Sequence, residues 1–534
     1  MASAITTEKP VVIAGGGPVG LITALGLVQQ GVPVLVLEED SSLSMDTKAG
    51  TVLTRSLEVL DRFNSLEPVL AASVRIDEIG EADRASDKAS LSVMTSELFT
   101  ETRFPFVINI PQHQLEPVLR DTLAQKAPGS LRMNHRVTGF VQDGDSVVVH
   151  VDTPTGPKFV EASYLLACDG GRSTIREKLG ITVEGKTLSE RYMLIDLEAD
   201  LDIESPRDYP YLSYFGDASE WMILVRQPHC WRFIFPLAEN AEEPTPEELQ
   251  QKVLRFIGDV NTTVIGTNIY SVHHRVASTW RDRRIFLMGD AAHLITPMWA
   301  LGLNTGVLDA SNLPWRLGWV HRGWADESLL DGYSKEQAPL AVSGSAAMAE
   351  AARMRMSRFD GAEDVMPDDG AWGNAMTRTL LGVTLDVAGS GNWQIIKTGS
   401  EPQPLHVGDR SPDMPLFDGH RERFLHELCR DTFVALYFTD ARRGPTIPDQ
   451  KYAGLRHYVV SRWDAPLDSG LRHKALFDPG DRVRRRYGIT TDTLVLLRPD
   501  GHIAAIEPWD PTGSGVAEAA TRHYTEIVGK PRNI

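Results

Sequence analysis

The chain has 534 residues, of which 42% are hydrophobic and 24% charged, the mixture of an ordinary globular protein. Acidic residues outnumber basic ones, 72 to 54, and the net charge of -18 argues against a nucleic-acid partner. The basic cluster Arg482 to Arg486 is expected to form a solvated helix face. A chain of this length predicts about three or four domains.

The cysteines and the apolar stretches of the sequence predict the cellular compartment of the protein. The three cysteines are far apart and form no CxxC pair, so neither a disulfide framework nor a zinc site is expected. The uncharged stretch from Val11 to Val28 resembles a membrane segment, but Gly15-Gly16-Gly17-Pro18 interrupts it. We expect a cytoplasmic protein with no membrane association and no metal site.

The N-terminal elements predict a parallel sheet covered by helices. Residues 11–14 are expected to form a buried strand, residues 15–20 a turn, residues 21–30 a helix and residues 34–37 a second strand. This order is a βαβ unit.

Later elements predict further sheets. Residues 136–168 are expected to be antiparallel, and residues 192–237 form aromatic-rich strands in which Trp231, Phe233 and Phe235 share one face. A strand at 285–288 precedes helices at about 305–322 and 329–358. Residues 359–405 are expected to be a connector, followed by a small α/β domain with strands at 433–438 and 493–497.

The first turn carries a dinucleotide-binding pattern. Gly15, Gly17 and Gly20 follow a strand and open a helix, and Glu38 ends the next strand 18 residues after Gly20. The glycines allow a tight turn, close approach of a pyrophosphate, and close packing of helix on strand. The glutamate suits ribose hydroxyls without a 2′-phosphate, so FAD or NAD is expected here rather than NADP.

Two further motifs place an aspartate at the end of an apolar strand. Asp169-Gly170 follows residues 164–167, and Gly289-Asp290 follows residues 285–288. Ligands of open α/β sheets bind at this edge, where a carboxylate can reach the ribityl hydroxyls or the pyrophosphate of a flavin.

These three motifs in this order resemble the class A flavoprotein monooxygenases, the single-component FAD-dependent aromatic hydroxylases. The resemblance covers essentially the whole chain. Residues 296–313 are most similar to the 3-(3-hydroxyphenyl)propionate hydroxylase branch, and the segment Leu497-Arg-Pro-Asp-Gly-His-Ile-Ala is typical of the thioredoxin-like domain of phenol hydroxylases.

The resemblance implies an α/β fold with three parts. A discontinuous Rossmann-like FAD-binding domain is expected over 1–75, 105–185 and 276–395. A mainly antiparallel substrate domain is expected over 76–104 and 186–275. A thioredoxin-like domain without redox cysteines is expected over 400–534.

The resemblance also assigns residues to a non-covalent FAD. Gly302, Leu303 and Asn304 match the segment whose backbone amides approach the flavin, where the following helix stabilises negative charge. The complete set expected to bind the cofactor is Gly15, Gly17, Pro18, Val19, Gly20, Glu38, Glu39, Lys48, Ala49, Gly50, Gln112, Val137, Asp169, Gly170, Gly289, Asp290, Pro297, Gly302, Leu303 and Asn304.

The sequence departs from the family at three places. Lys48 stands where arginine is usual, which keeps the charge but loses the bidentate fork. Glu39 replaces an arginine expected on the adenosine side. Trp299-Ala300-Leu301 replaces Gly-Gly-Gln, and Trp299 is expected to reshape the pocket wall.

The implied reaction uses NADH or NADPH to reduce FAD, followed by O2 and transfer of one oxygen atom through a flavin C4a-hydroperoxide to a small phenol. Ionising a phenol needs a nearby acceptor, for which the Pro297 carbonyl is expected. Trp299, Tyr211, Tyr214 and His293 are further candidates, each weighed against plain packing. The nicotinamide is expected to bind transiently, because the sequence holds one dinucleotide fingerprint.

Some alternatives stay open. The same fold carries out denitrating hydroxylation, epoxidation or Baeyer–Villiger oxidation, and a flavin-binding protein without turnover is a third reading. The sequence also leaves open whether the chain acts as a monomer or a homodimer, and whether NADH or NADPH is the donor.

Overall fold

The computed structural model describes residues 9–43, 50–84, 89–204, 209–357, 369–382, 404–440, 452–462, 474–510 and 516–529. Lys48 and Ala49 lie outside these residues. Among the described helices, none is long and apolar enough to cross a membrane.

The strands of the described residues are short except for two long ones in the middle of the chain. In order they are β1 (Val11–Ala14), β2 (Val34–Leu37), β3 (Thr51–Val52), β4 (Val74–Ile76), β5 (Glu78–Asp83), β6 (Ala89–Met94), β7 (Val107–Asn109), β8 (Leu131–Arg132), β9 (Arg136–Gln142), β10 (Val147–Thr153), β11 (Gly156–Ala162), β12 (Tyr164–Ala167), β13 (Val183–Glu198), β14 (Leu212–Gly216), β15 (Met222–Arg226), β16 (Trp231–Leu237), β17 (Thr263–Ala277), β18 (Arg281–Asp282), β19 (Ile285–Leu287), β20 (His293–Leu294), β21 (Pro415–Phe417), β22 (Glu422–Phe424), β23 (Phe433–Thr439), β24 (Leu455–Ser461), β25 (Ala475–Phe477), β26 (Thr493–Leu497) and β27 (Ile503–Pro508).

The α-helices of the described residues are α1 (Pro18–Gln29), α2 (Thr54–Arg62), α3 (Leu66–Ala71), α4 (Gln112–Lys126), α5 (Thr174–Lys178), α6 (Leu201–Glu204), α7 (Pro246–Ile257), α8 (Leu301–His321), α9 (Asp331–Pro339), α10 (Ala347–Ser357), α11 (Asp369–Thr379), α12 (Leu425–Cys429), α13 (Arg482–Tyr487) and α14 (Val516–Val528). A π-helical segment, Leu340–Ala346, joins α9 to α10.

The predicted βαβ unit is confirmed. Within the described residues, β1 is the centre of a sheet with the order β18-β19-β12-β1-β2-β8, parallel except at β18. All four residues of β1 are buried, because helices cover both faces of a parallel sheet. Helix α1 begins at Pro18, whose missing N–H costs nothing at the first helical position.

An eight-stranded sheet in the described residues has the order β20-β17-β13-β16-β15-β14-β5-β6. Its pairs are antiparallel except that β14 runs parallel to β5. One face packs on α7, whose N-terminus carries a capping box between Thr245 and Glu248. The other face is turned towards the parallel sheet.

A third large sheet, near the C-terminus, has the order β22-β21-β25-β24-β23-β26-β27 in the described residues. Strand β23 is parallel to β24 and antiparallel to β26, and β27 is antiparallel to β26. All seven residues of β23 are buried, as expected for the central strand of a covered sheet.

The structure corrects three expectations. Residues 136–168 are not antiparallel throughout, because β12 pairs in parallel with both β1 and β19 and belongs to the parallel sheet. The predicted connector at 359–405 contains α11, where Trp372 is fully buried and its Nε1 donates to Glu81 Oε2 at 3.2 Å. The many glycines and aspartates there had hidden this helix. The basic cluster at 482–486 is only partly solvated, because Arg484 is buried and donates to the Thr439 carbonyl at 2.8 Å.

Buried polar contacts join the C-terminal sheet to α2 and α8. The backbone carbonyl of Asp500 accepts from Arg55 Nη2 at 2.7 Å and from Arg62 Nη2 at 2.6 Å. Its carboxylate accepts from Trp315 Nε1 at 3.2 Å and from Arg498 Nη2 at 2.5 Å. One loop of the C-terminal sheet therefore holds two helices of the N-terminal part.

Neighbouring charges complete this junction. Burial alone would raise the pKa of Glu336, but Arg316 and Arg498 outweigh it and lower the pKa to about 2. Burial would likewise raise the pKa of Glu58, yet Arg410 and other neighbours bring it well below its usual range. Such buried charges are costly unless they are paired, and each of these is.

Candidate active site

A cavity of about 580 Å³ lies between the parallel sheet and the eight-stranded sheet. Residues that follow β1, β12 and β19 form its first side, so the cavity sits at the carboxyl ends of parallel strands, where open α/β sheets bind ligands. Its described wall comprises Gly17, Pro18, Val19, Gly50, Thr51, Gln112, Cys168, Gly170, Gly171, Leu194, Leu212, Tyr214, Ile223, Val225, Gln227, Arg232, Ile234, Asn268, Tyr270, Ser271, Val272, His273, Met288, Asp290, Leu294, Ile295, Pro297, Ala300, Gly302 and Leu303.

The glycine loop between β1 and α1 opens onto this cavity. Gly15 has φ +105°, and a Cβ there would lie 2.2 Å from the Cys168 carbonyl oxygen. A Cβ on Gly20 would lie 2.1 Å from the Gly15 carbonyl oxygen. Both glycines are therefore required by the fold. Gly17 differs, because a Cβ there would meet only Glu116 Oε1, at 3.9 Å. The space beside Gly17 is open for a ligand.

Glu38 and Glu39, which follow β2, make different contacts. Glu38 Oε2 accepts from the Gly16 backbone N–H at 2.6 Å, and Oε1 accepts from the Asp40 N–H at 3.0 Å. Glu38 therefore braces the glycine loop. Glu39 is exposed and pairs with Arg136 Nε at 3.3 Å. Arg136 precedes Val137, which is buried in β9 and is not part of the cavity wall.

Gln112 begins α4 on the cavity wall. Its Nε2 donates to Glu116 Oε1 at 2.6 Å, one turn further along the helix. This bond fixes the glutamine beside the glycine loop. Gly50 also lines the cavity, whereas Lys48 and Ala49 lie outside the described residues.

The two aspartate motifs reach the cavity differently. Asp290 is exposed on the cavity wall. Asp169 does not line the cavity, but the next residue, Gly170, does. Asp169 Oδ2 accepts from the Ile175 N–H at 3.2 Å, and the buried Oδ1 has no hydrogen-bond partner. Burial raises the pKa of Asp169. A hydroxyl-rich ligand would supply the missing donor.

His293 is packed away from the cavity. It is buried, stacks on Trp280 with ring centroids 5.2 Å apart, and its Nε2 lies 3.0 Å from Asp309 Oδ2. The same Asp309 oxygen accepts from the Gly289 N–H at 2.9 Å. His293 is outside the cavity wall, and its contacts hold the Gly289-Asp290 turn in place, which favours packing over proton transfer.

The turn before α8 carries unusual backbone conformations. Trp299 and Ala300 both have φ of 56°, a left-handed conformation that costs about 1–2 kcal/mol per non-glycine residue. These are the positions where the resemblance expected Gly-Gly. Asn304 stabilises the turn by donating to the Ala300 carbonyl at 2.7 Å and accepting from the Leu53 N–H at 2.9 Å.

The N-terminus of α8 faces the cavity. Pro297, Ala300, Gly302 and Leu303 line it, and the Pro297 carbonyl accepts the Ala300 N–H at 3.1 Å. A carbonyl oxygen has a second lone pair for another donor. The side chain of Asn304 is buried and fully occupied by protein contacts, so any cofactor contact would come from its backbone.

Aromatic side chains occupy the wall less than predicted. Tyr214 lines the cavity and stacks on Trp299, which lies behind it and is not a wall residue. Tyr211 is also outside the wall and packs edge-on against Trp231. The predicted aromatic stripe Trp231, Phe233 and Phe235 is real, but it packs on the α7 side of the sheet. The substrate-facing side of β16 instead carries Arg232 and Ile234.

Sequence reasoning missed several wall residues of the eight-stranded sheet. Arg232 forms a buried bidentate pair with Asp196, at 2.8 Å for Nε–Oδ1 and 2.9 Å for Nη2–Oδ2. Tyr270 lies on β17, and burial raises its pKa to about 12. Gln227 follows β15. Strand alternation would have predicted which of these residues share a face, but not which face meets the cavity.

FAD fits the residues present. The open space at Gly17, the unpartnered Asp169 Oδ1, the exposed Asp290 and the N-termini of α1 and α8 are the features that a dinucleotide with a flavin ring requires. In the described residues no cluster of His, Cys, Asp or Glu could hold a metal ion.

Comparison with known proteins decides the family. A family model described as an FAD binding domain matches residues 8–345. The chain belongs to this family of FAD-dependent aromatic monooxygenases. The monooxygenase is therefore an oxidoreductase, and the family resemblance stated from the sequence motifs is confirmed.

Individual relatives support the assignment of the monooxygenase. Para-nitrophenol 4-monooxygenase from Pseudomonas sp. strain WBC-3 is 31% identical over 370 residues, covering 68% of this chain and 91% of the relative. A 3-(3-hydroxy-phenyl)propionate/3-hydroxycinnamic acid hydroxylase from Mycolicibacterium smegmatis is 33% identical over 336 residues, covering 61% and 58%.

One solved structure matches the monooxygenase along almost its entire length. It is the OxyS anhydrotetracycline hydroxylase from Streptomyces rimosus, 27% identical, with a TM-score of 0.72, covering 98% of this chain and 100% of that chain. The mixed α/β flavoprotein monooxygenase fold is thereby confirmed.

Proposed function

We propose that this monooxygenase uses FAD, NADH or NADPH, and O2 to hydroxylate a phenolic aromatic compound. The observation that most supports this proposal is a cavity that lies between the parallel sheet and the eight-stranded sheet. The glycine loop, Asp290 and the N-terminus of α8 form the wall suited to FAD, and the apolar face of the eight-stranded sheet forms the other. Bound FAD supplies electron transfer from the nicotinamide and activation of O2.

The protein side chains provide binding, orientation and exclusion of water. Leu194, Leu212, Ile223, Val225 and Ile234 make the substrate side apolar, which keeps bulk water from the reacting atoms. The backbone amides at Gly302 and Leu303, with the dipole at the start of α8, would hold the flavin ring of bound FAD and favour negative charge on it.

The phenol hydroxyl needs a hydrogen-bond acceptor that orients it. We assign this role to the backbone carbonyl of Pro297, a lining residue at the flavin side of the cavity. Tyr214 is a donor instead, because burial raises the pKa of its hydroxyl well above the usual range and keeps it protonated. Tyr270, with its pKa raised to about 12, is protonated for the same reason.

Two classes of phenolic substrate, which differ in size, are compatible with the proposal. The first is a small phenol, which the relative named para-nitrophenol 4-monooxygenase supports. A polycyclic phenol is the second, favoured because the anhydrotetracycline hydroxylase matches the monooxygenase through its C-terminal part, whereas the nitrophenol enzyme covers 68% of the chain.

We further propose that residues 400–534 form a thioredoxin-like domain without redox function. The order β24-β23-β26-β27, with the first pair parallel and the rest antiparallel, supports this arrangement. Cys429 is the one cysteine of this range, and burial raises its pKa to about 12. We also propose the boundaries of the FAD-binding and substrate domains as the sequence predicts them; the separate parallel and eight-stranded sheets support this division.

The test is a substrate panel with the FAD-loaded enzyme. Consumption of NADH and of NADPH is measured with simple phenols, 4-nitrophenol and anhydrotetracycline, and products are analysed after incubation under ¹⁸O2. The proposal expects substrate-dependent oxidation of the nicotinamide and one ¹⁸O atom in the product. Peroxide as the sole product with every compound would contradict it, and 4-nitrophenol releasing nitrite would reveal denitrating chemistry.

A further inference from the structure

The carboxamide of Gln227 is a buried polar group without a partner at the cavity wall. Gln227 is 1% exposed, and neither Nε2 nor Oε1 has a hydrogen-bond partner. Among the described residues that line the cavity, it alone has both side-chain polar atoms in this state. Burying an unsatisfied polar group is costly, so a ligand that bonds both atoms would relieve that cost.

The backbone holds this side chain in one place. The Gln227 N–H donates to the Cys230 carbonyl at 2.8 Å, closing the turn between β15 and β16. The Gln227 carbonyl accepts from Arg226 Nη1 at 2.6 Å, and Asn109 Nδ2 donates to the Arg226 carbonyl at 2.9 Å. The turn is thus fixed both to itself and to β7. A preorganised group loses little entropy on binding.

Gln227 also lies where the two walls of the cavity meet. A Cβ on Gly50 would be 2.3 Å from Gln227 Nε2, so the amide packs directly on the glycine. Thr51, the residue after Gly50, donates from Oγ1 to Asn109 Oδ1 at 2.7 Å. Because Asn109 also bonds the Arg226 carbonyl, it links Thr51 to the turn between β15 and β16. The carboxamide therefore borders both the flavin side and the substrate side of the cavity.

The charges nearby indicate what the carboxamide binds. Arg232 is on the same wall, but its guanidinium is matched by Asp196, and both side chains are 4% exposed. A carboxylate bound at this carboxamide would leave Gln227 Oε1 without a donor, because a carboxylate only accepts hydrogen bonds. A neutral group that both donates and accepts satisfies the two atoms together.

We propose that Gln227 is a specificity-determining residue that binds a second, neutral hydrogen-bonding substituent of the phenolic substrate, such as a hydroxyl or a carboxamide. This inference rests on the proposed function, since it takes a phenolic compound as the occupant.

The experiment compares three probes on the FAD-loaded enzyme: phenol, resorcinol and 3-hydroxybenzoate. Their dissociation constants are measured from the change in the flavin absorption spectrum without nicotinamide, so turnover is not needed. Wild type is expected to bind resorcinol about 3- to 10-fold more tightly than phenol, the gain typical of one neutral hydrogen bond. It should not favour 3-hydroxybenzoate over resorcinol.

The variant Gln227→Met keeps the length of the side chain and removes both polar atoms. We expect its resorcinol preference to fall to about 1, its FAD affinity to stay unchanged and its Tm to stay equal or rise. The matched control is Gln250→Met on α7, where Nε2 donates to Thr262 Oγ1 at 2.9 Å, away from the cavity. This control should keep the preference.

Three results would overturn the inference: an unchanged preference in Gln227→Met, a fall in FAD affinity with the preference retained, or a wild-type preference for phenol or 3-hydroxybenzoate over resorcinol. Product analysis with ¹⁸O2 is done on the same samples. Binding with the expected preference but without hydroxylation would contradict the proposed function and leave the inference standing.

Discussion

The phenol ring of Tyr214 stacks on the indole of Trp299, with ring centroids 4.9 Å apart and planes 10° from parallel. Tyr214 belongs to β14 of the eight-stranded sheet, and Trp299 to the turn that precedes α8. The stack therefore joins the substrate side of the cavity to the flavin side. Trp299 shapes the pocket through Tyr214, one layer behind the wall.

Removing the indole should loosen Tyr214. For Trp299→Ala we expect the free energy of unfolding to fall by about 3–5 kcal/mol, as for other buried tryptophans. KM for the phenol should rise and more NAD(P)H oxidation should yield peroxide. Denaturant unfolding and product analysis measure these effects. Trp299→Phe retains a stacking partner and is the control, and equal behaviour of Trp299→Ala and wild type would refute the role of the stack.

Relieving strain in the same turn should stabilise the protein. Ala300 has φ of 56°, and its side chain makes this conformation costly. Ala300→Gly is expected to raise the free energy of unfolding by about 1 kcal/mol, since the relieved strain exceeds the extra backbone entropy of glycine. Thermal unfolding gives the comparison. Ala352→Gly, within α10, should instead lower Tm, and a lower Tm for Ala300→Gly would show that the turn is not strained.

Retention of FAD should depend on Asp290. Its carboxylate is exposed on the flavin side of the cavity. Hydrogen bonds to a charged group contribute about 1.5–3 kcal/mol, so Asp290→Ala should weaken FAD binding by about 10- to 100-fold. Titration of the apoprotein with FAD, followed by flavin fluorescence, tests this. The surface substitution Asp152→Ala should leave binding unchanged, and comparable affinities for both variants would count against the assignment.

The junction of the C-terminal sheet should depend on Asp500. The carboxylate partners Arg498 and Trp315 in the buried cluster. Asp500→Asn removes the charge and leaves Arg498 with an uncompensated share of its positive charge, which typically costs about 3–5 kcal/mol. We expect a lower Tm and earlier loss of FAD on heating. Asp431→Asn, at an exposed position, is the control. An unchanged Tm in Asp500→Asn would show that the Asp500 carboxylate does not stabilise the junction.

Two buried histidines near this junction predict acid sensitivity. Burial lowers the pKa of His426 and of His502 to about 4, from an ordinary value near 6.5. Between these values the unfolded chain binds more protons than the folded one, so stability is complete above pH 6.5 and falls as pH drops towards 4. Tm measured from pH 7.5 to 4.5 should show this loss. His426→Gln should flatten the profile, whereas exposed His420→Gln should not.

Local patterns in the sequence were sufficient to predict the glycine loop. The apolar run of β1, the spacing of Gly15, Gly17 and Gly20, and the acid after β2 lie within one stretch of chain, and each has a local steric reason. The same holds for the aspartates at the ends of β12 and β19. Side-chain alternation also predicted that Trp231, Phe233 and Phe235 share a face.

The sequence by itself determined the FAD-binding motif, the family and the principal strands, because these depend on residues close together in the chain. Only the tertiary structure decided which face of β16 meets the cavity, that Trp299 stands behind Tyr214, and that Gln227 packs on Gly50. Each of these contacts joins residues far apart in the sequence. Their distances are set by how the two sheets pack together, which no local pattern specifies.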